Sequence, residues 1–346
     1  MIYVHGYYGY KNCGDEAFKC VFNKYLQGFD FCYTSPKEPP PAYPKDNDLI
    51  ILGGGNVIDE YFLKSLSNWH GRIFAVGVGL SSSEALEVLK NLNPQVCYVR
   101  NKNELFIIKS KISFAEYIPD MVFSLSGNEI EGSNVGHDLQ FKNDTINRRP
   151  QLDRTAVIVL SDRIISFLSS NQGFSGGVES LSGLVRLIEF LRYVGKYYNL
   201  HFLSFSDDFY HPDDALNILV ASTLSGFHDR ISFSSAGSHP SKAFAVLANA
   251  DVVFSMKFHS LVFSLIANTP VVNLSDAPKC LSLVDEFKLS NLSCPMSMGA
   301  TSDDLKKALK LVESGSFNVN NDVVTLNSKA DEIMTEFKNK LSLHLA

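Results

Sequence analysis

The sequence predicts an α/β fold of two Rossmann-like domains facing a cleft, and three observations predict it. Short β-rich runs alternate with helical stretches along most of the chain. A polar stretch near the middle, carrying Gly, Asn and Asp without apolar periodicity, interrupts that alternation before it restarts. The chain has 346 residues, which at ~150 residues per domain corresponds to about two domains.

In the first half, Ile2–His5, Phe31–Thr34, Leu49–Leu52, Ile73–Val78 and Val96–Val99 read as strands. Asp15–Leu26 opens with two acids, as a helix N-terminus prefers. Ser82–Leu92 carries a Ser cap and apolar residues at helical spacing, and Lys102–Lys109 is a third helix. The Pro-rich segment 36–48 fits neither a helix nor a central strand. Residues 126–154 are the expected linker. Beyond it, Ala156–Leu160, His201–Phe205, Ile231–Ser234, Asp251–Ser255 and Val271–Leu274 read as strands. Ser182–Tyr198, Pro212–Leu224, Ser241–Ala248 and Ser260–Ala267 read as helices between them. The expected domains are 1–125 and 155–300, with C-terminal helices over 301–346.

Composition narrows the function. Lys and Arg number 31 against 37 Asp and Glu, a net charge of −6. A nucleic-acid binder more often carries a basic excess. No apolar run approaches the ~18–20 residues that span a bilayer, and MIYVHGYYGY has neither the basic nor the apolar region of a signal peptide. Six scattered cysteines (13, 20, 32, 97, 280, 294) lack zinc-ligand spacing and read as reduced packing residues of a cytosolic protein. No His, Asp and Glu set has metal-ligand spacing, so neither a metal nor a separate cofactor is expected.

Ligands of open parallel sheets sit at the carboxyl ends of strands, and the notable residues lie there. Gly6 to Ala17 (GYYGYKNCGDEA) follows the first strand. Gly9 and Gly14 allow tight backbone turns, while Asn12, Asp15 and Glu16 can bind hydroxyls. The spacing is not that of a dinucleotide loop, and two acids oppose a phosphate. A sugar-like polyol and a plain strand-to-helix loop with a capping acid both fit. Gly53, Gly54, Gly55 and Asn56 follow another strand. Close approach of backbone to ligand and close packing both account for three glycines. Gly77 and Gly79 at a strand end read more as turn than site.

In the second half, Arg163 ends a strand with a guanidinium suited to carboxylate or phosphate, although a lone Arg is more often a solvated salt bridge. Lys257 and His259 share a face in extended geometry and open an apolar helix, a natural anion site. His259 is a candidate proton donor or anion ligand. Lys279 follows the final strand of this half. Four cationic or cation-capable groups at strand ends of one domain point to a ligand with more than one anionic group.

These segments together resemble the polysaccharide pyruvyl transferase family. The resemblance runs through 6–17, 52–60, 76–80, 98–105 and 119–125, then 157–163 and 255–279. It implies a glycosyltransferase-B-like fold and transfer of the enolpyruvyl unit of phosphoenolpyruvate to two sugar hydroxyls, forming a pyruvate ketal. Carried over by position, it puts Arg163, Lys257 and His259 at donor-binding or catalytic positions and Lys279 in an Asp-x-x-Lys tail. The family usually has Arg where this chain has Lys257, and Gly-Ile-Gly-Pro where it has Gly77-Val78-Gly79-Leu80-Ser81. His259 is the expected acid, with Asp15 or Glu16 orienting a hydroxyl. The expected partners are phosphoenolpyruvate and a glycan, with no nucleic acid. Two alternatives remain at this level. One is a glycosyltransferase of the same fold using a nucleotide sugar. The other is a non-catalytic glycan- or anion-binding relative.

Overall fold

The structure is a computed structural model that describes residues 1–41, 45, 47–132, 152–161, 174–208 and 212–345. Two compact units emerge, Met1–Glu129 with Val323–Ala346, and Ile130–Asp322. Every described strand pairing is parallel.

The first unit holds β1 (Ile2–His5), β2 (Phe31–Thr34), β3 (Leu49–Ile58), β4 (Arg72–Leu80), β5 (Val96–Val99) and β6 (Glu116–Tyr117), in the sheet order β2-β1-β3-β4-β5-β6. Its helices are α1 (Cys13–Tyr25), α2 (Glu60–Lys64), α3 (Ser83–Asn91) and α4 (Lys102–Lys109), and α5 (Gly127–Gly132) crosses the boundary to the second unit. Their starts follow local chemistry. Asn12, Asp59, Ser82 and Asn101 each accept a hydrogen bond from a backbone N–H of the helix they cap. Strand residues Ile50, Leu52, Ile73 and Ala75 pack with Leu63, Leu86 and Leu89 into one buried cluster. Each fully buried Ile or Leu side chain contributes about 1.5–3 kcal/mol.

The second unit holds β7 (Thr155–Val159), β8 (Asn199–Ser204), β9 (Ile231–Ser235), β10 (Val252–Ser255) and β11 (Val271–Asn273), in the order β11-β10-β7-β8-β9. The strands alternate with α6 (Phe174–Val194), α7 (Asp214–Ser222), α8 (Pro240–Ala248), α9 (Phe258–Ile266) and α10 (Pro278–Glu286). α11 (Ser302–Glu313) begins at a capping box made by Thr301 and Asp304. Ile158, Phe202 and Phe254 of the strands pack with Leu187, Phe190 and Leu309.

The C-terminal stretch divides. α12 (Asn320–Leu345) lies with the first unit from Val323 onward. Asn327 donates to Phe123 O at 2.7 Å, Lys340 donates to Tyr98 Oη at 2.9 Å, and the Phe337 ring meets Phe74 edge-on. Of the expected linker 126–154, Gly127–Gly132 is helical and residues 133–151 lie outside the described residues. Among the described residues no helix is long and apolar enough to cross a membrane.

Candidate active site

Each sheet has one point where strand order reverses, and such a point opens a crevice at the carboxyl ends of the flanking strands. In the first unit it lies between β1 and β3, since β2 pairs on the far side of β1. The loops leaving these strands carry the glycine motifs. In the second unit it lies between β7 and β10, since β8 pairs on the far side of β7. The corner leaving β10 carries Lys257 as the helix N-cap and His259 in the first helical turn.

The first-unit loop is tied down by its own side chains. Gly9, at φ +81°, donates its N–H to Glu16 Oε1 at 2.7 Å, and Glu16 Oε2 pairs with Lys19 at 2.7 Å. Glu16 is buried and holds the loop shape. Asn12 Oδ1 accepts from Gly14 N at 3.2 Å, so Asn12 supplies the cap expected from an acid. Tyr8 donates its hydroxyl to Gly53 O at 2.6 Å, fastening this loop to β3. Asp15 is half-buried, and its Oδ1 lies where a Cβ on Gly55 would come within 2.8 Å.

The three glycines of β3 serve packing inside the unit. A Cβ on Gly53 would strike the Phe22 ring, and one on Gly54 the Phe18 ring, both on α1. Gly54 and Gly55 also take positive φ, at +74° and +87°. Asn56 is exposed, but its amide oxygen accepts from Arg100 at 2.5 Å. Arg100 in turn pairs with Asp120 at 3.2 Å in a buried ion pair. Sequence reasoning assigned no role to this pair.

In the second unit Lys257 is the N-cap residue of α9. The β10–α9 corner is laced by serines. Ser255 Oγ accepts from Lys257 N at 2.9 Å, and Ser260 Oγ donates to Lys257 O at 2.8 Å. His259 follows in the first turn, 8% exposed, with its ring edge-on to Phe258 at 5.2 Å. Lys279, in the first turn of α10, holds its Nζ 5.5 Å from the centre of the same Phe258 ring. Phe258 thus gathers His259 and Lys279, with Lys257 adjacent in the chain. The fourth expected member, Arg163, lies outside the described residues; Ser161, just past β7, is buried.

Nothing in the local pattern of the chain marks Lys257's partner. Its Nζ sits 2.8 Å from Asp213 Oδ1, a fully buried carboxylate. Asp213 occupies the N-cap position of α7 without capping it. Instead its Oδ2 accepts from Phe205 N and Ser206 N, each at 2.9 Å. Burial dominates and holds the Asp213 carboxyl above its ordinary value, against the downward pull of Lys257 and the N–H groups of Ser206 and Phe205. Among the described residues no group of three or more His, Cys, Asp or Glu is placed to hold a metal ion.

A family model described as polysaccharide pyruvyl transferase matches residues 12–278. The chain belongs to the polysaccharide pyruvyl transferase family. The matched span takes in Asp15, Lys257 and His259 and ends one residue before Lys279. Solved structures add the fold. UDP-GlcNAc 2-epimerase from Methanocaldococcus jannaschii aligns at TM-score 0.58 and 10% identity, over 98% of this chain and 99% of that one. The UDP-GlcNAc 2-epimerase of Neisseria meningitidis, bound to UDP-GlcNAc, aligns at 0.56 and 7% identity, over 99% of each chain. The glycotransferase of kitacinnamycin aligns at 0.52 and 10% identity, over 100% of this chain and 99% of that one. At such identities the likeness is one of fold, and that fold is glycosyltransferase-B-like. No curated protein matches the chain. For a polysaccharide pyruvyl transferase family member, chemistry has to be argued from the site, since a shared fold hosts many reactions.

Proposed function

We propose that this member of the polysaccharide pyruvyl transferase family moves the enolpyruvyl unit of phosphoenolpyruvate onto two hydroxyls of a sugar in a glycan. The observation that carries the reading is the group at the second unit's switch point. His259 and Lys279 both approach the Phe258 ring there, and Lys257, one residue before Phe258, holds its ammonium against Asp213, in a chain of this family. Phosphoenolpyruvate brings a phosphate and a carboxylate close together, and ammonium groups and a helix N-terminus suit both.

His259 is the general acid in this reading. It gives a proton to C3 of phosphoenolpyruvate, and C2 becomes a cation stabilised by its oxygen. One sugar hydroxyl adds to C2 and loses its proton. The C2–O bond to phosphate then breaks, and the second hydroxyl closes the ketal. Of the two hydroxyl protons released, one balances the proton taken by C3 and the other leaves with phosphate. The acceptor is assigned to the first-unit loops, with Asp15 orienting a hydroxyl. Phosphoenolpyruvate is a substrate here, and the scheme calls on no separate cofactor.

The test is incubation with phosphoenolpyruvate and a panel of nitrophenyl glycosides. Phosphate release and the mass of a pyruvate ketal on one glycoside support the reading. Sugar transfer from a UDP- or GDP-sugar, with phosphoenolpyruvate untouched, overturns it.

A further inference from the structure

The strand order makes the Lys257–Asp213 contact more than a local ion pair. β7 lies between β10 and β8. Lys257 leaves the end of β10, and Asp213 packs against Phe205 and Ser206 just past β8. The pair therefore spans the carboxyl end of β7, beside the switch point. We propose that Asp213 is a positioning residue that fixes the Lys257 ammonium for the donor's anionic groups, which rests on the donor reading above.

A lysine needs such help. Its ammonium is a point charge on a flexible stem, whereas a guanidinium presents a planar fork that fixes its own direction. Asp213 is itself rigid, because two backbone N–H groups hold Oδ2 and leave Oδ1 toward Lys257. Lys257 keeps 20% of its side chain exposed while Asp213 has none, so the ammonium is the member a ligand can reach. A buried ion pair is costly to desolvate and adds little stability over apolar packing. Its use here is direction, and Asp213 does not touch the donor.

The test combines Asp213→Asn, Lys257→Gln and the double variant, each checked by its melting curve. Asn keeps an oxygen for the two backbone N–H groups and removes the charge facing Lys257. Acetylation of Lys257, followed by peptide mass spectrometry, is expected to quicken about tenfold in Asp213→Asn, the loss of one charge-assisted hydrogen bond. Phosphoenolpyruvate affinity is expected to fall about tenfold in Asp213→Asn, and no further when Asp213→Asn is added to Lys257→Gln. Adding Lys257→Arg to Asp213→Asn is expected to restore affinity, since the guanidinium brings its own geometry. Unchanged acetylation, or losses that multiply in the double variant, overturns the proposal. Wild-type protein that binds no phosphoenolpyruvate overturns the donor reading instead, and the acetylation rates then decide alone whether Asp213 holds Lys257.

Discussion

The backbone N–H of Gly9 points at the carboxylate of Glu16, 2.7 Å away, and that bond separates the roles of two neighbouring acids. Glu16 is buried and also pairs with Lys19. Glu16→Ala leaves a loop N–H without its acceptor, at a cost of about 1–3 kcal/mol. The expected outcome is a lower melting temperature, with the folded fraction retaining its phosphoenolpyruvate affinity.

Asp15 faces Gly55 from the next helical position and is half-buried. Asp15→Asn is expected to raise the acceptor KM or lower kcat, and to leave donor affinity and melting temperature near wild type. Titration calorimetry with phosphoenolpyruvate alone checks it. Donor binding that collapses in this variant contradicts the assignment of Asp15 to the acceptor.

Much of this was readable from local pattern. β1, β2, β5 and α4 span the residues their hydrophobic periods indicate, because a parallel strand or an amphipathic helix writes its period into the chain. β3 and β4 run further than they read. Their glycines look like strand ends, yet Gly53 pairs with Val76 and Gly55 with Val78, so β3 runs on along β4 past the end of its pairing with β1 at Leu52. α2 is a single short turn beside those glycines, too brief for a period. α12 was legible as a helix, with Leu326, Ala330, Met334, Phe337 and Leu341 buried along one face. The body that buries them was not, because docking over more than two hundred residues of chain leaves no local mark. Asp213 hid for a similar reason. An acid before a helix reads as a cap, and only the fold turns it toward Lys257.

Gly54 and Gly9 both have positive φ, but their surroundings differ. A Cβ on Gly54 collides with Phe18, and one on Gly9 meets open space. Gly9→Ala therefore costs backbone strain alone, about 1–2 kcal/mol. Gly54→Ala adds overpacking of a further 1–3 kcal/mol or so. Urea melts of the two variants check the order.

His5 gives the stability a pH dependence of known sign. It is fully buried between Thr34 Oγ1 at 3.1 Å and Ser65 Oγ at 3.0 Å, and burial lowers its pKa to about 4. The unfolded chain takes up the proton near pH 6.5 and the folded one does not until about pH 4. Stability from this group is complete above pH 6.5 and is lost as pH falls through that window. At pH 5 the loss is about 2 kcal/mol. His5→Gln is expected to show a shallower fall in melting temperature between pH 7 and pH 5 than wild type. Equal slopes remove His5 from the account.

The most direct measurement of the central claim is the rate of phosphate release from phosphoenolpyruvate by His259→Asn, in the presence of a sugar acceptor. His259 sits in the first turn of α9 against Phe258, with Lys279 over the same ring. General acid catalysis contributes about 10²–10⁴-fold. The variant is predicted to melt near wild type, to keep part of its donor affinity, and to lose turnover by about that factor. A histidine that only packs its helix would give the opposite pattern. A lower melting temperature with kcat near wild type contradicts the account.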